Sequence, residues 1–193
     1  SESLIANATQ IFVHARDIPN VFSRVCSALE LLDLSINDAR IYSGIDGATL
    51  DTFFVLKADG TPVDNSPETI NMVEDAILRS LMSPSVTTAQ QRITRSLRSF
   101  LSPTEITFLE DHGRNLTIME ISSPDRPGLL ACIGQILSER DVVIQAAKIQ
   151  TLGERVEDVF FLTTSEGLRL GDDQLCDALQ ADLCKALDKD NAA

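Results

Sequence analysis

Residues 117–137 read TIMEISSPDRPGLLACIGQIL, and this stretch indicates how the chain folds. Residues 117–122 place Ile118, Met119 and Ile121 among polar residues, which predicts a short β-strand. Leu130, Ile133 and Leu137 are three and four residues apart, which is typical of an amphipathic helix. Pro127 lies between the two patterns, at a position suited to the first turn of a helix. The stretch therefore predicts a strand that leads through a short loop into a helix.

The same arrangement occurs 108 residues earlier, where residues 9–29 read TQIFVHARDIPNVFSRVCSAL. The identical pairs at this offset are Asp17/Asp125, Pro19/Pro127, Leu29/Leu137, Asp33/Asp141, Ile36/Ile144, Ala39/Ala147 and Ile41/Ile149. After a slip of one residue in a turn, they continue with Asp51/Asp158, Phe53/Phe160, Phe54/Phe161 and Gly60/Gly167. Matches in the same order over four elements predict two copies of one structural unit.

Each copy has the pattern strand, helix, strand, strand, helix. This order predicts an α+β fold with two ferredoxin-like modules, each an antiparallel sheet with two helices on one face. We expect a first module over residues 8–82, a helical linker over 83–103 and a second module over 104–190. Residues 105–110 alternate like a further strand, and the sequence leaves open whether it ends the first module or leads the second.

Composition narrows the possible partners. The chain of 193 residues has a net charge of −13, one Tyr and no Trp, which disfavours binding to nucleic acid or to an anionic membrane surface. No apolar run approaches the roughly 20 residues that span a bilayer, and no signal peptide leads the chain. The four cysteines have no metal-ligand spacing, which predicts reduced core residues and a cytoplasmic protein. Because the first residue is Ser1 and not Met, we expect a fragment of a longer protein, with a processed terminus or the remnant of a tag as alternatives.

The linker contains a basic repeat. Arg92, Arg95 and Arg98 follow one another every three residues, in a stretch over 87–101 that looks helical. The pattern is consistent with a solvated helix face, and also with an edge that docks against an acidic surface.

The two loops between strand and helix are the candidate binding sites. They contain Asp125, Arg126, Pro127, Gly128, Leu129 and Leu130 in the second copy, and Asp17, Ile18, Pro19, Asn20 and Val21 in the first. A helix N-terminus exposes N–H groups and a positive dipole end, which favour a carboxylate. Gly128 has no Cβ and lets a ligand approach the backbone closely, whereas Asn20 is bulkier. The second copy is therefore predicted to be the better site, although both loops could simply begin a helix.

The loop sequence Asp-Arg-Pro-Gly-Leu-Leu, in this order of elements, resembles the ACT domain, a small amino-acid-sensing module. Residues 8–13, 38–41 and 50–53, with 147–149 and Gly-Glu-Arg-Val-Glu-Asp-Val-Phe at 153–160, resemble the C-terminal region of the bacterial bifunctional PII uridylyltransferase/uridylyl-removing enzymes. The resemblance covers nearly the whole chain. The first loop departs from the pattern, because Ile18 stands in place of Arg and Asn20 in place of Gly, which puts its site in doubt.

The resemblance implies a function. Members of this family carry a nucleotidyltransferase and a phosphohydrolase-type domain upstream of tandem ACT repeats, and they modify the PII signalling protein according to the supply of glutamine. It implies that this chain binds L-glutamine through Asp125 to Leu130 and through Asp17, Pro19, Asn20 and Val21. It also implies upstream catalytic domains in the same chain. The resemblance further implies that the catalytic domains need a divalent metal, and that this chain itself holds no cofactor.

The residues indicate no catalytic centre of their own. His14 and His112 lack a nucleophile partner, and no phosphate-binding glycine loop occurs. The acid pairs Glu157/Asp158 and Asp172/Asp173 are interpreted as structural, since strand alternation separates the first and the second begins a helix. Two alternatives to the regulatory region remain: a free-standing tandem-ACT regulator that acts through a partner, and a structural oligomerisation module.

Overall fold

The computed structural model describes residues 7–16, 18–42, 48–83, 103–152, 155–171 and 173–188. Its elements are, in chain order, β1 (Thr9–Arg16), α1 (Val21–Glu30), β2 (Leu34–Arg40), β3 (Ala48–Lys57), α2 (Pro67–Met82), β4 (Glu105–Asp111), β5 (Leu116–Pro124), α3 (Leu129–Glu139), β6 (Val142–Lys148), β7 (Thr151–Leu152), β8 (Arg155–Thr164) and α4 (Asp173–Leu187). The predicted order of strands and helices is present in both copies.

The strands of the described residues belong to one antiparallel sheet. The order across it is β1-β3-β2-β6-β8-β5-β4, with β7 paired to β8 outside this path. The modules meet where β2 pairs with β6, with Asp38, Ala39 and Arg40 opposite Lys148, Ala147 and Ala146. The α+β class with two ferredoxin-like modules is therefore confirmed, and the modules share a continuous sheet.

The strand β4 answers the question that the sequence left open. It pairs along its whole length with β5, so it lies at the outer edge of the second module as a leading strand. A turn of only four residues, 112–115, joins the two strands, which makes a local hairpin the nearest pairing available.

The first module has a groove of about 560 Å³ between β1 and α2, on the side of β1 where the repeat would place a strand equivalent to β4. The predicted helix over 87–101, with its three arginines, lies outside the described residues.

The helices pack on one face of the sheet in the order α2, α1, α3, α4, since α1 contacts both α2 and α3, and α3 contacts α4. The ring of Phe22 on α1 stacks on Phe53 at 6.0 Å between centroids and meets Phe160 edge-on at 6.4 Å. Phe22 thus joins the cores of the two modules. Gly134 on α3 allows this approach, because a Cβ there would lie 2.8 Å from the Phe22 ring.

Backbone geometry reproduces the repeat at its unusual positions. Positive φ angles occur in matching pairs at Asn20/Gly128, Asp33/Asp141 and Gly60/Gly167. A register shift interrupts β2 between Ile36 and Asp38, and a matching shift interrupts β6 between Ile144 and Ala146. The copies therefore share turns and bulges as well as secondary structure.

Two further findings concern the described part of the chain. No helix in it has the length and apolarity needed to cross a membrane. Cys26 is buried, whereas Cys132, Cys176 and Cys184 are partly buried, and none of them forms a disulfide within the described ranges.

Candidate ligand site between the modules

The two predicted loops begin helices, and both use a left-handed residue to do so. Gly128 precedes α3 with φ 82° and ψ 2°, and Asn20 precedes α1 with φ 59° and ψ 34°. Neither residue caps its helix through a side chain, so the first-turn N–H groups are not covered from that side. Asn is one of the few residues that adopts this conformation, which explains how the first copy keeps the turn without glycine.

Side chains of the loops divide between the core and two pockets. Val21 and Leu129 are buried and anchor their helices in the core. The second loop brings five residues to one pocket: Asp125, Arg126, Pro127, Leu129 and Leu130. The first loop brings Ile18, Asn20 and Val21 to another. Pro19 instead accepts a hydrogen bond from Arg24 at its carbonyl oxygen, and Asp17 lies outside the described residues.

Arg126 has a structural contact that the sequence did not indicate. Its Nη2 atom donates to the carbonyl oxygen of Ala186 at 3.2 Å, in the last turn of α4. In the first module the buried Arg24 has the same task, since its Nη1 donates to Ser80 and Ser83 at the end of α2. Each module thus fixes the C-terminal end of its second helix with a guanidinium group. The predicted ligand contact of Arg126 stays a prediction.

The two pockets are related by the internal repeat, and each is built from both modules. The pocket at the second loop, of about 320 Å³, is completed by the end of α1 and the start of β2. The pocket at the first loop, of about 300 Å³, is completed by the matching parts of α3 and β6. We call them the Gly128 pocket and the Asn20 pocket. Volumes at the lower end of the range for ligand sites suit a small metabolite.

Each pocket is also lined by a buried aspartate from the third strand of the module that provides its loop. Asp51 and Asp158 are each 1% exposed, and burial raises the pKa of Asp51 to about 6 and that of Asp158 to about 7. Hydrogen bonds oppose these rises. Asp51 accepts one from the hydroxyl of Thr49, and Asp158 Oδ1 accepts one from the N–H of Gln150 at 3.1 Å.

The aspartates differ in one respect that bears on ligands. Val156 stands where the first copy has Thr49, so it offers Asp158 no hydroxyl group. Oδ2 of Asp158 is buried and has no hydrogen-bond partner among the described residues. A buried carboxylate oxygen normally has a partner, and a ligand N–H group could provide one in the Gly128 pocket.

Among the other carboxylates that line the Gly128 pocket is that of Glu30, the last residue of α1. Glu30 accepts a hydrogen bond at Oε1 from the N–H of Gly128, at the N-terminus of α3. Burial raises the pKa of Glu30, and the bond from Gly128 opposes the rise. Ser138 takes the matching place in the Asn20 pocket, so a neutral hydroxyl stands where the other pocket has an acid.

The sequence contained a signal for the aspartates but none for Glu30. Asp51 and Asp158 are matched in the repeat, and strand alternation places each on the same face as Phe53 or Phe160, so they could be expected inside. Glu30 and Gly128 are 98 residues apart and belong to different modules. Their contact exists only because β2 pairs with β6.

The second half of the chain matches a known class of domain. Residues 113–189 match the model of the ACR family N-terminal ACT domain, which identifies the second module as an ACT domain.

The particular relatives are bifunctional uridylyltransferase/uridylyl-removing enzymes. That of Stutzerimonas stutzeri is 44% identical over 185 residues, which are 95% of this chain and 21% of the relative. Those of Pseudomonas putida and Pseudomonas aeruginosa are 43% and 42% identical over 187 residues. The chain spans about a fifth of the length of these relatives. The resemblance drawn from the residues is confirmed: nearly the whole chain is similar to one part of these enzymes, and its second module matches an ACT domain.

Proposed function

We propose that this chain is the amino-acid-sensing part of a bifunctional PII uridylyltransferase/uridylyl-removing enzyme, and that it binds L-glutamine in the Gly128 pocket. The observation that carries the proposal is the pairing of two features in one small pocket. The unpartnered Oδ2 of Asp158 offers an acceptor for an ammonium or amide group. The N-terminus of α3 offers donors for a carboxylate. Together they complement a free amino acid.

The Asn20 pocket is the weaker of the two in this proposal. Its aspartate, Asp51, already accepts a hydrogen bond from Thr49, and Asn20 adds a side chain where Gly128 has none. An ammonium group would therefore gain less at Asp51 than at Asp158. This agrees with the ranking of the loops that the sequence predicts.

The position of the pockets suggests how binding would be transmitted. A ligand in the Gly128 pocket contacts the loop of the second module together with α1 and β2 of the first. Glutamine would therefore stabilise one arrangement of the modules over others, and upstream domains could respond to that arrangement. PII and the catalytic domains are partners in this proposal because the relatives are uridylyltransferases. Their similarity to this chain favours this proposal over a free-standing regulator or an oligomerisation module.

Calorimetry with three ligands tests the proposal. We expect L-glutamine to bind and L-glutaminol, which lacks the carboxylate, to bind about 10-fold to 100-fold more weakly, the equivalent of one charge-assisted hydrogen bond. L-glutamate should bind more weakly than glutamine, because its additional negative charge enters a pocket that already holds Asp158 and Glu30. The variant Asp158→Asn should weaken the binding of glutamine, and Asp64→Asn, at an exposed acid that does not line the pocket, should not. Equal binding of glutamine and glutaminol would refute the proposed site.

A further inference from the structure

Glu30 occupies a position that the proposed ligand needs. Its carboxylate accepts the N–H of Gly128, which is the residue that precedes the first turn of α3. A helix N-terminus attracts a carboxylate through its dipole and its N–H groups, regardless of whether the carboxylate comes from a ligand or from the protein. In the described structure this position is taken by the first module.

We propose that Glu30 is an internal competitor for the carboxylate of the amino acid, so that the ligand enters the Gly128 pocket only by displacing Glu30 from the N–H of Gly128. This inference rests on the proposed function and specifies its regulation. Glu30 thereby sets the affinity of the pocket and connects occupancy to the packing of α1 against the second module.

The electrostatics of the pocket make this displacement feasible. Acidic groups among its described lining residues are Glu30, Asp33, Asp125 and Asp158, and Arg126 is the one basic group. Burial and the nearby Asp125 both raise the pKa of Glu30, so its negative charge is unfavourable while Glu30 contacts Gly128. Displacing the Glu30 carboxylate into water removes this electrostatic penalty. A ligand with both charges replaces Glu30 at Gly128 and brings an ammonium group to Asp158.

The competition gives the carboxylate of the ligand two roles: it displaces Glu30, and it then accepts the hydrogen bond from Gly128. A ligand without one cannot replace the hydrogen bond that Glu30 makes, and it would leave the N–H of Gly128 with its internal partner. In the Asn20 pocket the matching residue is Ser138, a short neutral side chain. The two pockets therefore differ in regulation as well as in strength.

A graded series at residue 30 tests the inference by calorimetry with L-glutamine. Glu30→Gln keeps an oxygen that can accept from Gly128 but removes the charge, and Glu30→Ser copies the residue of the other pocket. We expect the affinity for glutamine to rise about 3-fold to 10-fold in Glu30→Gln and about 10-fold to 100-fold in Glu30→Ser, following the loss of a charged competitor. Glu139→Ser, an exposed acid at the end of α3, is the matched control and should leave the affinity unchanged.

A second measurement follows the contact without relying on affinity. In nitrogen-15 spectra, the amide signal of Gly128 should move in Glu30→Ser without ligand, and glutamine should move it in the parent protein. If glutamine binds the parent and Glu30→Ser equally, the competitor is refuted while the proposed function stands. If neither protein binds glutamine, the proposed function fails and the inference fails with it. Binding by the parent that becomes tighter in Glu30→Ser supports both, whereas weaker binding in Glu30→Ser refutes the competitor.

Discussion

The contact between α1 and α3 can be tested through Gly134, where the structure leaves no room for a side chain. A Cβ at this position would lie 2.8 Å from Cδ1 of Phe22 and 3.2 Å from Cβ of Ser23. Phe22 cannot move away easily, because its ring is held between Phe53 and Phe160. Any larger residue must therefore push the two modules apart or distort their shared core.

The size of the effect follows from two opposing terms. Valine is a better helix former than glycine by a few tenths of a kcal/mol. Overpacking a well-filled core costs about 1–3 kcal/mol, and the branched side chain brings the cost of Gly134→Val to the upper part of that range. We expect a net loss of about 2–3 kcal/mol, which corresponds to a fall of roughly 5–10 °C in the unfolding midpoint of a domain this size.

Thermal unfolding measured by circular dichroism provides the assay. Glu139→Val places the same residue on the exposed end of the same helix and should cost less than about 1 kcal/mol. Phe22→Leu combined with Gly134→Val should recover part of the loss, because a smaller side chain gives the valine room. An unchanged or higher midpoint for Gly134→Val would refute the close packing of α1 on α3.

Two further predictions concern buried charged groups. Burial raises the pKa of Asp158 to about 7 in the folded protein, against an ordinary value of 3.8, so the unfolded chain loses this proton first as the pH rises. The free energy of unfolding should therefore fall by up to about 1.4 kcal/mol per pH unit between pH 4 and 7. Asp158→Asn should reduce this pH dependence in urea titrations. A slope that is unchanged in Asp158→Asn would show that other groups cause it. Arg24→Met removes the hydrogen bonds that its guanidinium donates to the carbonyl oxygens of Pro19, Ser80 and Ser83 and should cost about 3 kcal/mol in urea unfolding. Arg79→Met removes only an exposed hydrogen bond and serves as its control, so equal losses in the two variants would argue against a structural role for Arg24.

Much of the fold was predictable because local patterns and the repeat agree with each other. The spacing of Leu130, Ile133 and Leu137 indicated α3, and Pro127 indicated roughly where it begins, although Pro127 lies before the first turn because the helix starts at Leu129. The pairing of β2 with β6 was not predictable, since either module edge is a sheet edge and the sequence does not say which edges meet. The position of β4 was equally open, because its alternation fits both β1 and β5.

The candidate site was predictable only as far as it is local. The loops at Asn20 and Gly128 could be found from their own residues, and both do begin helices. The rest of each pocket comes from the other module, so Glu30 and Ser138 carried no signal in the sequence. Arg126 was expected to face a ligand, but its contact with Ala186 depends on the position of α4, which local residues do not determine.

The central claim is that the chain binds glutamine between its modules at the Gly128 pocket, and an amide-resolved nitrogen-15 titration of the parent protein with L-glutamine tests it most directly. We expect the largest shifts at Gly128, Leu129 and Leu130, and at Gln150, whose N–H contacts Asp158. Smaller shifts should follow at the end of α1. Shifts confined to the groove between β1 and α2, or no shift at millimolar glutamine, would contradict the account.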